Sequence, residues 1–340
     1  VADANSTNAA TAAAQTDSIK EVAAAADAEI GNLEGLTPTS KIIIDEAQSR
    51  DIEVEMKVPD KGLFTLHLGK KSIECASSLT ELSSVVSSLI CIDKQLTNKL
   101  LKGAGLSVPD QVMASTKKKN SLFFKKHQKV VTKPLDESLG TGVSVDLRSI
   151  VEMEEAINVL KMGGKKEILI EECCEGLYVR ILLFDFKFVA AVHHALPTIT
   201  GNGKHIIEQL IVDANLQKTS WNQIPIDRET ERCVNAMDYE MNEILPLGET
   251  LTVRKNSNEH TGAVPKDVTD EITPFIKSIA EKVAKEINIP VVGIDFLLKS
   301  FTGDDYVIIE ANSRPALVGH GDQPIAKKFL DYLFPETKKN

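Results

Sequence analysis

The sequence predicts an α+β fold assembled from small α/β subdomains. Three observations carry that expectation. The chain has 340 residues, room for one large domain or two to three ordinary ones. Its apolar share of 42% can fill real cores. Short apolar strands joined by turn residues recur along it, interleaved with stretches of helical period such as Ile272, Phe275, Ile276, Ile279, Val283 and Ile287.

Residues 1–29 are Ala-rich and low in complexity, with almost nothing large to bury. They read as a solvated or loosely helical extension reaching to about residue 36. Thr37-Pro38-Thr39 supplies a cap residue and a first-turn proline, so a short helix is expected there. Residues 52–56, 63–68 and 72–75 have strand character, with Pro59-Asp60-Lys61-Gly62 as a turn. A helical tract is expected over 79–101, stopped by Gly103, Gly105 and Pro109. A strand at 111–114 and a basic loop at Lys117-Lys118-Lys119 follow. Next come strands at 129–132 and 143–146 and a helix ending at Met162. Strands are expected at 168–171, 179–184 and 188–193, the last two joined by Asp185-Phe186-Lys187. A helix over 205–217, the amphipathic helix of 272–287, strands at 291–298 and 306–310, and a closing helix over 324–333 complete the reading. No internal repeat is present.

Lys and Arg number 39 against 49 Asp and Glu, a net charge of −10. Such a chain suits neither nucleic acid nor an anionic membrane surface. No apolar run approaches the ~20 residues of a membrane helix. The opening residues lack the basic and apolar regions of a secretory signal. Cys75, Cys91, Cys173, Cys174 and Cys233 show no C-x-x-C and no zinc spacing. They read as reduced, packed thiols, and the expected location is the cytoplasm.

Four stretches could carry chemistry. In Val130-Val131-Thr132-Lys133-Pro134 a lysine ends a strand, and the loop that follows holds Ser138, Gly140 and Gly142. Glycines let backbone N–H groups approach phosphate oxygens, and a lysine adds a point charge; the bland alternative is a plain turn. Asp295 and Glu310 interrupt two neighbouring apolar strands, and Asn312 stands two residues after Glu310. Residues two apart on a strand share a face, so all three can converge, and hard oxygen donors of this kind suit magnesium. Two acids facing water are the alternative, and it is costly inside apolar strands. Arg254-Lys255-Asn256-Ser257-Asn258 ends a strand as an anion clamp or a polar loop. In the run from Glu171 to Arg180 a carboxylate ends one strand and Gly176 leads into another; the adjacent Cys173 and Cys174 read as packing residues.

Taken in order, the segments DKQLTNKLLKGAGLSVP, VVTKPLDESLGTGVSV, ILIEECCEGLYVRILLFDF, LTVRKNSN, GIDFLL and VIIEANSRP resemble the ATP-grasp ligases. Within them the chain looks most like the ATP-grasp module of bifunctional bacterial glutathione synthetases and of cyanophycin synthetases, over about residues 36–335. The resemblance implies an ATP-grasp fold, two α/β subdomains clamping ATP behind a reduced N-terminal α/β piece. It implies an extension over 1–36, the N-terminal piece over 37–92 and the ATP-grasp domain over 93–340, with a flap subdomain at about 110–170 and a C-terminal subdomain at about 171–340. The implied reaction is amide formation between a small-molecule carboxylate and an amine through an acyl phosphate. The implied cofactors are ATP and Mg2+, with Mn2+ as a substitute, and the expected assembly is a homodimer. A small-molecule kinase and a non-catalytic nucleotide-binding protein are the alternatives.

Residue by residue, the resemblance puts Lys94 and Lys133 on the ATP phosphates and Ser138, Gly140 and Gly142 in the flap. It puts Glu171 by the adenine amino group, with Glu172, Cys173 and Cys174 along the hinge. Asp295, Glu310 and Asn312 match the magnesium set. Arg180 and Arg254 match catalytic positions, Asn256 and Asn258 substrate positions. Two departures stand out. Tyr178 occupies the place of an acid that contacts the ribose, and the loop N-S-N-I-S-T-G-G is here Asn256-Ser257-Asn258-Glu259-His260-Thr261-Gly262-Ala263.

Overall fold

Thr37 caps the first helix, its hydroxyl accepting the Ser40 N–H, while Pro38 sits in the first turn where a missing N–H costs nothing. The structure, a computed structural model, describes residues 36–135, 141–218, 222–321 and 323–338. Helix α1 (Pro38–Gln48) leads into β1 (Glu53–Val58), β2 (Leu63–Leu68), β3 (Lys71–Ala76) and β4 (Leu79–Thr80), an antiparallel sheet in chain order. The helical tract expected over 79–101 is divided. Leu79 and Thr80 pair with β3, and α2 (Val85–Ile92) stops at Asp93, whose carboxylate accepts the N–H groups of Gln95 and Leu96 and starts α3 (Lys94–Gly103). A short acid that bonds nearby backbone favours a cap over a helix interior.

A second antiparallel sheet has the order β5-β8-β6-β7, from β5 (Gln111–Met113), β6 (Val130–Pro134), β7 (Ser144–Leu147) and β8 (Ile168–Glu172). Helices α4 (Lys117–His127) and α5 (Ile150–Met162) cover one face, with Phe124, Met153, Ile157 and Leu160 against Val130, Ile168 and Ile170. The basic loop expected at Lys117 is thus the first turn of α4. Thr116 caps it, and Asn120 and Phe124, four apart, are its buried side.

The third sheet is the largest, ordered β13-β10-β9-β14-β15. It comprises β9 (Leu177–Phe184), β10 (Lys187–Ala195), β13 (Val264–Asp267), β14 (Val292–Leu298) and β15 (Tyr306–Asn312). Asp185 and Phe186, at φ 49° and 60°, make the two-residue turn between β9 and β10, a geometry that matches strand twist. Between β10 and β13 the chain forms a small subdomain. It pairs β11 (Thr198–Thr200) with β12 (Thr250–Thr252) and packs α6 (Ile207–Asn215) and α7 (Arg228–Asn235) around Ile199, Ile211, Val234 and Leu251.

Helix α8 (Pro274–Ile287) lays Ile276, Ala280, Val283 and Ile287 on one face of the large sheet, against Val179, Ile181, Ile294 and Phe296. On the other face, Leu182, Phe184 and Ala190 join α1, the first sheet and α9 (Ile325–Leu333) in a continuous apolar cluster. The N-terminal piece therefore shares its core with the end of the chain. Tyr178, Arg180, Asp295 and Glu310 lie on the same face, beyond that cluster. Among the described residues no helix is long and apolar enough to cross a membrane.

Candidate active site

Strand alternation decides which groups meet. In β9, Val179 and Ile181 face α8, so Tyr178 and Arg180 face the other way. Arg180 stands opposite Asp295 in the register, and Asp295 opposite Glu310. One residue of β15, Ile309, has no partner, because Ile308 pairs with Phe296 and Glu310 with the adjacent Asp295. This bulge lets Ile308 enter the α8 core while Glu310, two residues on, turns to the polar face.

Arg180 holds Asp295 through two parallel hydrogen bonds, Nε to Oδ1 at 2.7 Å and Nη2 to Oδ2 at 2.9 Å. The amide of Asn312 donates to Asp295 Oδ2 at 3.2 Å. Burial works to raise the Asp295 carboxyl, but the Arg180 guanidinium prevails and keeps it below the usual range. Glu310 has no such partner. Burial pushes its carboxyl up, Asp295 adds to the push, and Lys94 and Lys133 offset only part. Two carboxyl groups and an amide oxygen, one acid poorly compensated, fit a hard divalent cation.

Lys94 is the first residue of α3 and so is aimed by the Asp93 cap. Its Nζ lies 3.8 Å from Glu310 Oε1 and donates to the Leu135 carbonyl at 3.4 Å, reaching from the large sheet to the end of β6 in the second sheet. On the face of the second sheet turned away from α4 and α5, Lys133 Nζ lies 2.9 Å from Glu171 Oε2, which also accepts from Gln111 Nε2 at 2.5 Å. Both members of that pair are buried. Gly142, at φ 68°, turns the chain into β7, and a Cβ there would stand 2.7 Å from Leu160. Ser138 and Gly140 lie outside the described residues.

Other expected site residues are placed elsewhere. Glu172 follows Glu171 on the strand and points to the helix-covered face, away from Lys133. Cys173 and Cys174 are partly buried; burial, then neighbouring acids, pushes the Cys174 thiol to about 12, so these are packing groups and not nucleophiles. Tyr178, expected at the ribose, stacks its ring on His194 with centroids 5.5 Å apart, and its hydroxyl accepts from Arg180 Nη2 at 3.3 Å. Arg254 stands apart from the Asp295 network: its Nη1 donates to Asp227 Oδ1 at 2.6 Å and Thr230 Oγ1 at 2.8 Å, at the start of α7. Its Nε is buried without a hydrogen-bond partner, which suits a bound anion. Asn256 Oδ1 accepts the Asn258 N–H, and Asn258 Oδ1 accepts the His260 N–H, so both amides shape the loop.

Sequence reasoning missed His194 and Glu259. His194 is buried, its Nε2 3.1 Å from Glu259 Oε1 and its Nδ1 3.1 Å from the Ser257 carbonyl. Glu259 stands where the loop departs from the ligase pattern. The two departures, Tyr178 and Glu259, therefore meet at one imidazole, a link that was legible only as two separate anomalies.

No protein-family model matches the chain. In sequence it is similar to a cyanophycin synthetase of Geminocystis herdmanii, 29% identical over an alignment that covers 89% of this chain and 37% of that protein. It is also similar to the glutathione biosynthesis bifunctional protein GshAB of Clostridium perfringens, 28% identical over 88% of this chain and 41% of that protein. The chain thus spans well under half the length of these curated relatives. Among solved structures, a bifunctional glutathione synthetase from Pasteurella multocida superposes over 89% of this chain and 44% of that one, with a TM-score of 0.63 at 20% identity. The expected ATP-grasp fold is borne out, and so is the likeness to these ligases.

Proposed function

We propose that the chain is an ATP-dependent carboxylate–amine ligase, forming an amide or peptide bond between small molecules of the amino-acid or γ-glutamyl-peptide class. The observation that carries this reading is the position of Lys94, whose ammonium group stands between Glu310 on one sheet and the Leu135 carbonyl on the other. In this reading ATP lies where the two sheets meet, its phosphates against Lys94 and Lys133. Displacing Glu171 from Lys133 would free that cation for phosphate. The similarity to a cyanophycin synthetase and to the glutathione biosynthesis protein GshAB supports the ligase chemistry.

Asp295, Glu310 and Asn312 would hold Mg2+, with Mn2+ as a substitute. Magnesium supplies charge neutralisation for the phosphates as the γ-phosphoryl group moves. The residues of the chain do the rest. Lys94 and Lys133 bind and orient the phosphates. A substrate carboxylate oxygen attacks the γ-phosphorus; an O–P bond forms and the bond to ADP breaks. Arg254, with its unused Nε, would hold the anionic end of the acyl phosphate. The amine then attacks the acyl carbon, a C–N bond forms, inorganic phosphate leaves, and the amine loses a proton. No side-chain nucleophile is required. Arg180 positions Asp295 and does not need to touch substrate.

A coupled ADP-release screen over amino acids and γ-glutamyl dipeptides tests the reading. ADP formation that requires a carboxylate and an amine together supports a ligase. Equal ADP formation without any amine would overturn it in favour of a small-molecule kinase.

A further inference from the structure

Glu172 leaves the nucleotide face and meets two other groups. Asp110 immediately precedes β5, His127 is the last residue of α4, and Glu172 is the last residue of β8. One ligand atom from each of these three lies within 4.8 Å of the others. The His127 side chain is only 7% exposed, with Nε2 3.5 Å from Asp110 Oδ2 and Nδ1 3.7 Å from Glu172 Oε1. Both distances exceed a hydrogen bond, and Nε2 is buried with no hydrogen-bond partner. A buried polar atom in that condition calls for an explanation, and an absent ion is one of the standard ones.

The spacing supplies the explanation. With bonds of about 2.0–2.1 Å, two ligands of a tetrahedral zinc stand roughly 3.3–3.5 Å apart. That is the separation of His127 Nε2 and Asp110 Oδ2. We propose that Asp110, His127 and Glu172 form a three-ligand site for a divalent first-row transition metal of zinc's class, distinct from the Asp295–Glu310 group. Imidazole with carboxylate oxygens suits such an ion better than it suits magnesium. The partial negative charge at the end of α4 favours a cation there. Lys102 and Lys126 now pair with Asp110 at 2.6 and 2.5 Å. Their side chains are 60% and 65% exposed and can swing into water when the metal enters. They also keep Asp110 ionised, its carboxyl held down at about 2 by Lys102 and then Lys126. A metal here would tie the end of α4 to both strands at the base of the flap, one residue before Cys173, where the chain leaves the flap sheet.

Isothermal titration of the full chain with zinc chloride, in excess magnesium to fill the oxygen ligands around Asp295, tests the proposal. Wild type should bind one zinc. His127→Ala and the better-packed His127→Gln should weaken it by about 10–100-fold or more, the cost of disturbing even an outer-shell partner. Asp295→Asn should leave zinc binding unchanged, and Lys126→Met should bind at least as tightly as wild type. Cobalt in place of zinc should give ligand-field bands without thiolate charge transfer. Equal zinc affinity in wild type and both folded His127 variants, no zinc binding by wild type, or thiolate bands from cobalt would each overturn the assignment.

Discussion

Glu310 pays for its position. Its carboxyl is shifted up by burial and by Asp295, so above its unfolded range it resists the ionisation that the unfolded chain undergoes freely. For an acid shifted this way, stability is whole at low pH and drains as pH rises through the folded value. At neutral pH, Glu310→Gln should therefore be as stable as wild type or more so, by thermal melt. The same variant, and Asp295→Asn, should lose about 100-fold or more in ADP formation at saturating magnesium, the scale of removing one charge-stabilising group. A wild-type rate in either would remove the cation assignment. His320 tells the opposite story. It is buried, its Nδ1 has no hydrogen-bond partner, and burial lowers its imidazole from 6.5 to about 4. As pH falls, the unfolded chain takes up that proton first. The stability it contributes is complete above about pH 6.5 and is lost between about pH 6.5 and 4. Urea unfolding across that window should show a steeper pH dependence in wild type than in His320→Asn. Identical slopes would place the imidazole in water.

Among the elements, α3 shows how local chemistry aims a functional side chain. The Asp93 carboxylate accepts two N–H groups of the first turn, and Lys94 is the next residue. Asp93→Ala should cost about 1 kcal/mol in stability, as loss of a cap does. It should also weaken Mg-ATP binding by calorimetry, with Asp93→Asn restoring both. A lost cap with unchanged ATP affinity would show that Lys94 needs no such aim. Asp93 also marks where pattern reading failed. The apolar residues of 79–101 repeat at a helical period across it, and period alone cannot register a side chain that bonds backward to the backbone. Lys117 failed for the converse reason: three lysines looked solvated, which they are, but Thr116 and the buried Phe124 made the segment a helix. Helix α7 was not anticipated, since it is eight residues long and rests on the Asp227 cap.

At the level of the whole molecule, most strands and the β9–β10 hairpin were legible because turn residues and alternation are local signals, whereas the short strands β4, β11 and β13 were not, being two to four residues long. The convergence of Asp295, Glu310 and Asn312 on one face followed from the same alternation, although it is the Ile309 bulge that delivers Glu310 there. The Arg180–Asp295 pair, 115 residues apart in the chain, and the Tyr178–His194–Glu259 contact were not legible, because register between distant strands is set by tertiary packing. The proposed reaction makes the deepest demand on this architecture, since the two sheets must deliver a phosphoryl group to a carboxylate. Its most direct test is to supply the carboxylate substrate chosen by the ADP-release screen with heavy oxygen in the carboxyl group. An acyl phosphate predicts that one heavy oxygen leaves in the inorganic phosphate for each amide formed. Phosphate without label, at the same yield of amide, would contradict it.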